Sequence, residues 1–585
     1  MGEILDMDKY KIVDDVLGKM TLRQKAGQLF TQSFYGSLVT DDVENMIRNM
    51  DCGGLRITSF YRQFRHYARP GQKREAFDQS SPSDMPANRF SDVKDTLCKP
   101  PYLNIDEYAA VMNRLKEVAS ERDYNSPLHL CLDQEGNASA DFIRGGVSLF
   151  PSQWGIARTG DPQVVYESAK AVGMQLAAIG INVVHAPVLD IVLHADSTYI
   201  GTRGFGQDTD FVIAMAKEYI RGFKDAGVMC AGKHYPGRGS TAVDDHHDIG
   251  AIDRTEEELM ECELLPYRLL KDLPMLMVGH SIYPVWDKEN LASCSKTICT
   301  DVTRNKIGFD GVITTDSMIM LAIAKKYGIP QACVLAAKAG CNLILMKEVG
   351  VIRDEAYRLM VEAAESGEIP ESQLDELVGR TLRWKADYGL FDDNYMVDAA
   401  AAPGKVRSVE VLSVAKEAAE TAVHVVRDAN KVLPIAQDQR VLLVEQIAGP
   451  HLNANDKYLY PGIFWDKMLA ESRNVSLLEV ELDPVAEDLE KLMEYAPHYD
   501  VIVVTHYSDR NTLSTVDMVN GLLEKMPEKK VVVVANSPLP YNTPEQWPTV
   551  ICTYGVGAEV LETAAKLVFG NFTPKAPAIR APWDR

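Results

Sequence analysis

Residues 233–246 read Lys-His-Tyr-Pro-Gly-Arg-Gly-Ser-Thr-Ala-Val-Asp-Asp-His. Two cations, two imidazoles and two carboxylates fall within one short stretch. Val228-Met229-Cys230-Ala231 just before it reads as a buried strand, and Gly237 and Gly239 force a loop rather than a helix. Lys233 and His234 then stand at a strand end, and the loop carries an Asp244-x-His246 pair. Imidazole titrates near neutral pH, so this grouping points to proton-transfer chemistry. A divalent-metal reading of Asp244–Asp248 is disfavoured: adjacent side chains diverge, and the helical His spacing of zinc hydrolases is missing. No metal and no cofactor is expected.

The elements that position these groups recur along the chain. Short apolar runs lie at Ala26–Ser33, Gly53–Ser59, Leu128–Gln134, Asn182–Asp190, Val228–Tyr235, Pro274–His280, Gly311–Ser317 and Asn342–Met346. Most are separated by amphipathic stretches. Thr255–Lys271, with Leu259, Leu264, Leu265 and Leu269 as its apolar positions, is one. Eight alternating strand–helix units predict a parallel (β/α)8 barrel, a TIM barrel, whose chemistry lies at the C-terminal strand ends. Those ends carry Asp133, Asp190, Lys233, His234, His280 and Asp316. Ionisable residues finishing buried strands are costly as core and natural as a pocket floor.

The chain has 585 residues, too many for one core. The barrel is expected over residues 10–395, with an insertion at about 58–101. A linker is expected at 396–408, around Ala399–Gly404. A smaller α/β sandwich domain follows at 409–585. It has a helix at Val409–Val426 and strands at Arg440–Val444, Ser476–Leu482, Asp500–Thr505, Lys530–Ala535 and Val550–Thr553. Its strand ends carry Ser508, Asn536 and Ser537 but no charged cluster, so all catalytic groups are expected before residue 398.

Net charge is −22, without a dense Lys/Arg run, which argues against a nucleic-acid partner. No uncharged apolar window is long enough to span a membrane. Ten cysteines without a Cys-x-x-Cys pair, and no visible signal peptide, give the expectation of reduced thiols in the cytoplasm.

KHYPGRGSTAVDDH resembles the Lys-His-Phe-Pro-Gly-His-Gly-(x)4-Asp-Ser/Thr-His signature of glycoside hydrolase family 3, in its β-N-acetylglucosaminidase branch. Further stretches resemble that family: MTLRQKAGQLF near the start, DQEG at 133–136, INVVHAPVLDI at 181–191, YIGTRGFGQD at 199–208, MVGHSIYP at 277–284 and GFDGVITTDSMIM at 308–320. VLPIAQDQRVLLV and the final FGNFTPKAPAIR resemble its second domain. The resemblance implies an exo-acting, retaining β-N-acetylhexosaminidase (β-N-acetylglucosaminidase) acting on a small oligosaccharide or glycoconjugate. It implies Asp316 as nucleophile, His246 as general acid/base and Asp244 as the carboxylate orienting that histidine. Asp133, Arg144, Arg203, Lys233 and His234 match its sugar-binding residues.

Retaining hydrolysis needs a carboxylate below the anomeric carbon and a proton donor beside the leaving oxygen. A histidine can be that donor without adding negative charge near the nucleophile. Bland readings stand beside these roles. Asp316 could be a helix N-cap. Asp133 could pair structurally with Arg144 or Lys233, and Asp190 and His280 are expected to support their neighbours.

The chain departs from the family pattern in three ways. Asn137 replaces a glycine and Arg144 stands about three residues late. Arg238 replaces a histidine and Asp245 a Ser/Thr, adding charge to the catalytic loop. The segment Thr58–Pro101 is longer than expected and locally basic, with Arg62, Arg65, His66 and Arg69 near its start. It is expected to overhang the barrel mouth and meet an anionic substituent of the substrate; the alternatives are a surface elaboration or a dimer contact, which leaves a homodimer open. Rival activities are a phosphorylase of the same fold, using inorganic phosphate instead of water, a β-glycosidase of other sugar specificity, and a catalytically inactive sugar-binding protein.

Overall fold

A computed structural model describes residues 2–36, 38–58, 103–137, 139–194, 199–241, 248–347, 350–392, 395–454, 456–508 and 514–575. Almost all of the basic insertion, together with Asp244, Asp245 and His246, lies outside these residues.

Eight parallel strands form the first sheet: β1 Phe30–Tyr35, β2 Gly54–Thr58, β3 His129–Leu132, β4 Val183–Val184, β5 Met229–Tyr235, β6 Met275–Val278, β7 Val312–Thr315 and β8 Ile344–Met346. Their order is β8-β1-β2-β3-β4-β5-β6-β7. Phe30 pairs with Ile344, and an isolated parallel bridge joins Thr314 to Leu343, so the sheet closes on itself. The strands are buried on both faces, which is why most read as apolar-rich runs rather than alternating ones, although β1 carries buried Thr31, Gln32 and Ser33. Val183, Met229, Met275 and Val312 belong to one buried cluster with Trp384, carried by the helix Glu371–Asp387. Seven of the eight expected runs contain an observed strand; Ala26–Ser33 only overlaps β1, its first three residues ending the helix Leu22–Gln28.

The second sheet has six strands: β9 His424–Asp428, β10 Val441–Ile447, β11 Val475–Glu481, β12 Val501–His506, β13 Lys530–Ala535 and β14 Thr549–Cys552. The order is β9-β14-β13-β12-β10-β11, all parallel except the edge strand β9. A barrel-like sheet followed by a separate α/β layer is the expected fold class.

Three local expectations are corrected. Thr255–Lys271 is two short helices, Glu256–Glu261 and Leu265–Leu269, rather than one. Pro266 cannot donate to a helix continuing from Glu261, and Leu269 turns out to solvent. The helix from Val409 stops at Ala422, and the β-branched run that follows is the edge strand β9. The stretch read as linker contains a helix, Ala402–Val406, in which Ala402 and Val406 are buried.

The chain forms two compact units that do not follow chain order. One comprises Met1–Gln134, Gly173–Ile191 and Phe223–Lys405; the other comprises Glu135–Val172, Val192–Gly222 and Val406–Arg585. Within the second unit, Arg158 Nε donates to the Thr421 carbonyl at 3.0 Å and the Ser152 amide to the Tyr554 carbonyl at 2.8 Å. Two connections between barrel strands are thereby built into the same unit as the second sheet.

Candidate active site

The strand β5 ends in Lys233, His234 and Tyr235, all buried. Regular alternation would send Lys233 and His234 to opposite faces. The ladder with β6 shifts register between Lys233 and Tyr235, and both side chains find carboxylate partners. Lys233 Nζ donates to Asp133 Oδ1 at 3.0 Å. His234 Nδ1 meets Asp190 Oδ2 at 2.7 Å, and its Nε2 lies 4.0 Å from Asp316 Oδ2. The ends of β3, β5 and β7 and the segment after β4 thus contribute Asp133, Lys233, His234, Asp316 and Asp190 to one unit.

Asp190 is the organiser of the loop start. Its Oδ2 accepts from both the amide and the ring Nδ1 of His234, and its Oδ1 accepts from the Arg238 amide at 2.6 Å. Burial opposes its charge, but His234 outweighs burial and holds the carboxyl below its ordinary value. A carboxylate only accepts, so Nδ1 of His234 carries the proton facing Asp190. Arg238 is 1% exposed, and its guanidinium is part of the packed interior rather than of a solvated loop.

The turn after β5 requires its glycines. Gly237 has φ +121°, and its carbonyl accepts from the Tyr283 hydroxyl at 2.6 Å. A Cβ on Gly239 would stand 1.4 Å from the Ile191 carbonyl oxygen. The backbone at Gly237 and Gly239 is therefore held by its surroundings.

Asp316 directly follows β7 and is 6% exposed. Its amide donates to the Val278 carbonyl at 2.8 Å, and its Oδ1 accepts from the Ser317 amide at 2.6 Å. The N-cap reading does not hold: the next helix is Leu321–Lys326, with Met320 and not Asp316 at its N-cap position. His280, at the end of β6, donates from Nε2 to the Ser317 carbonyl at 3.0 Å, and its Nδ1 meets the Ser293 hydroxyl at 2.8 Å. It steadies the backbone beside Asp316, as expected of a supporting residue.

Asp133 has partners the sequence did not suggest. Arg56, buried within β2, donates from NH2 to Asp133 Oδ2 at 2.6 Å. His185 Nδ1 lies 3.6 Å from Oδ1, beyond hydrogen-bond distance. Burial pushes the Asp133 carboxyl up, but Lys233 and then Arg56 outweigh it and hold it well below the usual carboxylate range. Burial lowers His185, which keeps that ring neutral at physiological pH. The signals for Arg56 were its charge inside an apolar run and its place near a strand end; for His185, only its nearness to the Ala-Pro-Val-Leu-Asp stretch.

Arg144 and Arg203 lie in the second unit. Arg203 is held by Glu135, with Nε–Oε2 at 2.7 Å and NH2–Oε1 at 3.0 Å, and stacks over the Tyr199 ring. Burial works against that guanidinium's charge, and Glu135 more than restores it, raising it well above its ordinary value. Glu135 is a further residue that the sequence reading passed over. Beside Arg144, the Gly145 amide donates to Asp456 Oδ2 and the Gly146 carbonyl accepts from Arg407.

A cluster of carboxylates, cations and an oriented imidazole at the C-terminal ends of a closed parallel sheet is the arrangement of a (β/α)8 enzyme. The family described as "Glycosyl hydrolase family 3 N terminal domain" matches residues 101–384. Beta-hexosaminidase LpqI of Mycobacterium tuberculosis is 33% identical over 272 residues, covering 44% of this chain and 68% of that protein. Beta-hexosaminidase A of Pseudoalteromonas piscicida is 28% identical over 305 residues, covering 48% of this chain and 51% of that protein, so this chain spans about half its length. A solved glycoside hydrolase family 3 beta-N-acetylglucosaminidase from Paenibacillus sp. shares the fold, with a TM-score of 0.78 at 24% identity over 95% of this chain and 98% of that one. This chain belongs to glycoside hydrolase family 3.

Proposed function

We propose that the protein is an exo-acting, retaining β-N-acetylhexosaminidase that removes terminal β-linked N-acetylglucosamine-type sugars from small glycoconjugates. The observation that carries the reading is the placement of Asp316. It is a nearly buried carboxylate at a strand end, fixed through its own backbone and its neighbour's amide, with His234 Nε2 4.0 Å away. Family membership and relatives named beta-hexosaminidase support the substrate class. In this reading the Asp316 carboxylate attacks the anomeric carbon to form a glycosyl ester, while His246, oriented by Asp244, protonates the departing oxygen. Water then attacks the ester, His246 takes its proton, and Asp316 is released. Asp133, Lys233 and His234 bind sugar hydroxyls through charge-assisted hydrogen bonds, with Arg144 and Arg203 assigned to the same task by the family resemblance. The cytoplasmic placement expected from cysteine usage belongs to this proposal.

A mechanism-based fluorosugar, an N-acetylglucosaminide carrying fluorine at C5 because C2 holds the acetamido group, tests the reading. It should label Asp316, visible by peptide mass. Asp316→Ala should lose several orders of magnitude in kcat while keeping the parent's fold. Near-parent turnover in this variant would sink the assignment. Running the assay with and without inorganic phosphate separates hydrolysis from phosphorolysis, because the second yields a sugar 1-phosphate.

A further inference from the structure

The strand β2 should be wholly apolar, since it is buried on both faces, yet it holds a guanidinium at 2% exposure. A buried charge in such a place costs several kcal/mol unless it is paired and hydrogen-bonded. Arg56 is paired in a specific way. Its NH1 donates to Thr58 Oγ1, two residues along the same strand, at 2.5 Å, and its NH2 donates to Asp133 Oδ2 at 2.6 Å. The parallel register sets Arg56 opposite Cys131, so the side chain reaches forward along β3 to Asp133. Lys233 meets the other oxygen, Oδ1, at 3.0 Å. Asp133 therefore has one cationic N–H on each oxygen, from β2 beside it on one side and from β5, two strands away, on the other.

We infer that Arg56 is a positioning residue for the reaction: braced on Thr58, it fixes the Asp133 carboxylate in the orientation from which that group accepts a hydroxyl of the bound sugar. The inference rests on the proposed reading of Asp133 as a sugar-binding residue. A carboxylate offers about four acceptor positions, so being held by Arg56 and Lys233 is compatible with accepting a substrate hydroxyl. The two-point brace explains why an arginine stands here. A lysine carries the same charge on one nitrogen and cannot span Thr58 and Asp133 in a planar fork. The pair also bears on protonation, since Arg56 is among the groups that hold Asp133 ionised against its burial.

The test uses the full chain and 4-nitrophenyl N-acetyl-β-glucosaminide. Arg56→Ala should raise KM about tenfold or more, the scale of one lost charge-assisted hydrogen bond, with kcat within about threefold. Its acid limb of kcat/KM should move to higher pH, because one of the cations keeping Asp133 ionised is gone. Arg56→Lys should restore the acid limb but not KM. Thr58→Val, which keeps the shape and removes only the brace, should raise KM about threefold, and it decides the matter if Arg56→Ala does not fold. A purely structural Arg56 would lower the active fraction without moving KM or the pH limb, and that result overturns the inference. Asp133→Asn is the control: if it binds and cleaves like the parent, the sugar-binding reading fails. If it is impaired while Arg56→Ala and Thr58→Val match the parent, the inference alone fails.

Discussion

Asp190→Asn is nearly isosteric, yet it should be severe, because Asp190 uses both oxygens as acceptors from donors that cannot all be satisfied by an amide. Oδ2 receives the His234 amide at 3.1 Å and ring Nδ1 at 2.7 Å, and Oδ1 receives the Arg238 amide at 2.6 Å. Asparagine keeps one oxygen. With its NH2 on the Oδ1 side, two N–H groups face each other at Arg238. With its NH2 on the Oδ2 side, Nδ1 can shed its proton, but the His234 amide cannot. Either rotamer leaves a buried donor–donor contact. The loss of a charge-assisted bond, about 1.5–3 kcal/mol, adds to an unsatisfied buried donor at about 1–3 kcal/mol, so destabilisation of about 4 kcal/mol is expected.

The kinetic effect follows from position. His234 and the loop start would both be free to shift, and a displacement near 1 Å costs about a hundredfold in kcat/KM. Urea unfolding read by peptide-resolved hydrogen exchange separates the barrel unit from the second unit, which a single two-state fit would not. The pH dependence checks the cause. The folded carboxyl sits below its ordinary value, so its stabilisation is present above about pH 4 and is lost as pH falls through the folded value. The gap between parent and variant should therefore narrow in acid. A variant within twofold of the parent in kcat/KM, with an unchanged barrel midpoint, would refute the acceptor argument.

Two more outcomes are expected. Glu445, buried on β10, accepts the amides of Phe464 and Trp465, yet burial raises its carboxyl to about 7. Its favourable contribution is full below about pH 4.5 and is lost as pH rises through 7. Glu445→Gln should therefore gain on the parent by about 3 kcal/mol across that window and stay level above it, read by urea unfolding of the second unit. A truncate ending at residue 398 should fail, contrary to the expectation from chain order. It removes the partners of Ser152 and Arg158, and residues 135–172 should lose their exchange protection together with activity. A fully active, protected truncate would show that these connections hold themselves.

What the sequence could and could not disclose follows from how each feature is encoded. A strand buried on both faces is apolar along most of its length, so a charged residue at its end is conspicuous. Asp133, Asp190, Lys233, His234, His280 and Asp316 were visible for that reason. Of their pairings only Lys233 with Asp133 was among those named; the rest were hidden, because partner choice depends on register and on which strands are neighbours. Arg144 is close to Asp133 in sequence, but the arginine that grips Asp133, alongside Lys233, is Arg56, brought there by the pairing of β2 with β3. The same limit hid Glu135, whose contact with Arg203 joins two separate connections between barrel strands. It also made the boundary at residue 398 look clean, since composition marks where a chain turns polar or Ala-rich but not which earlier loop packs on a later sheet. Arg56 shows the two levels meeting. Its charge inside an apolar run is a local inconsistency, and such inconsistencies persist where a fold spends stability on its function. A charged residue two positions from the end of a barrel strand is thus worth testing as part of the site even when no motif includes it.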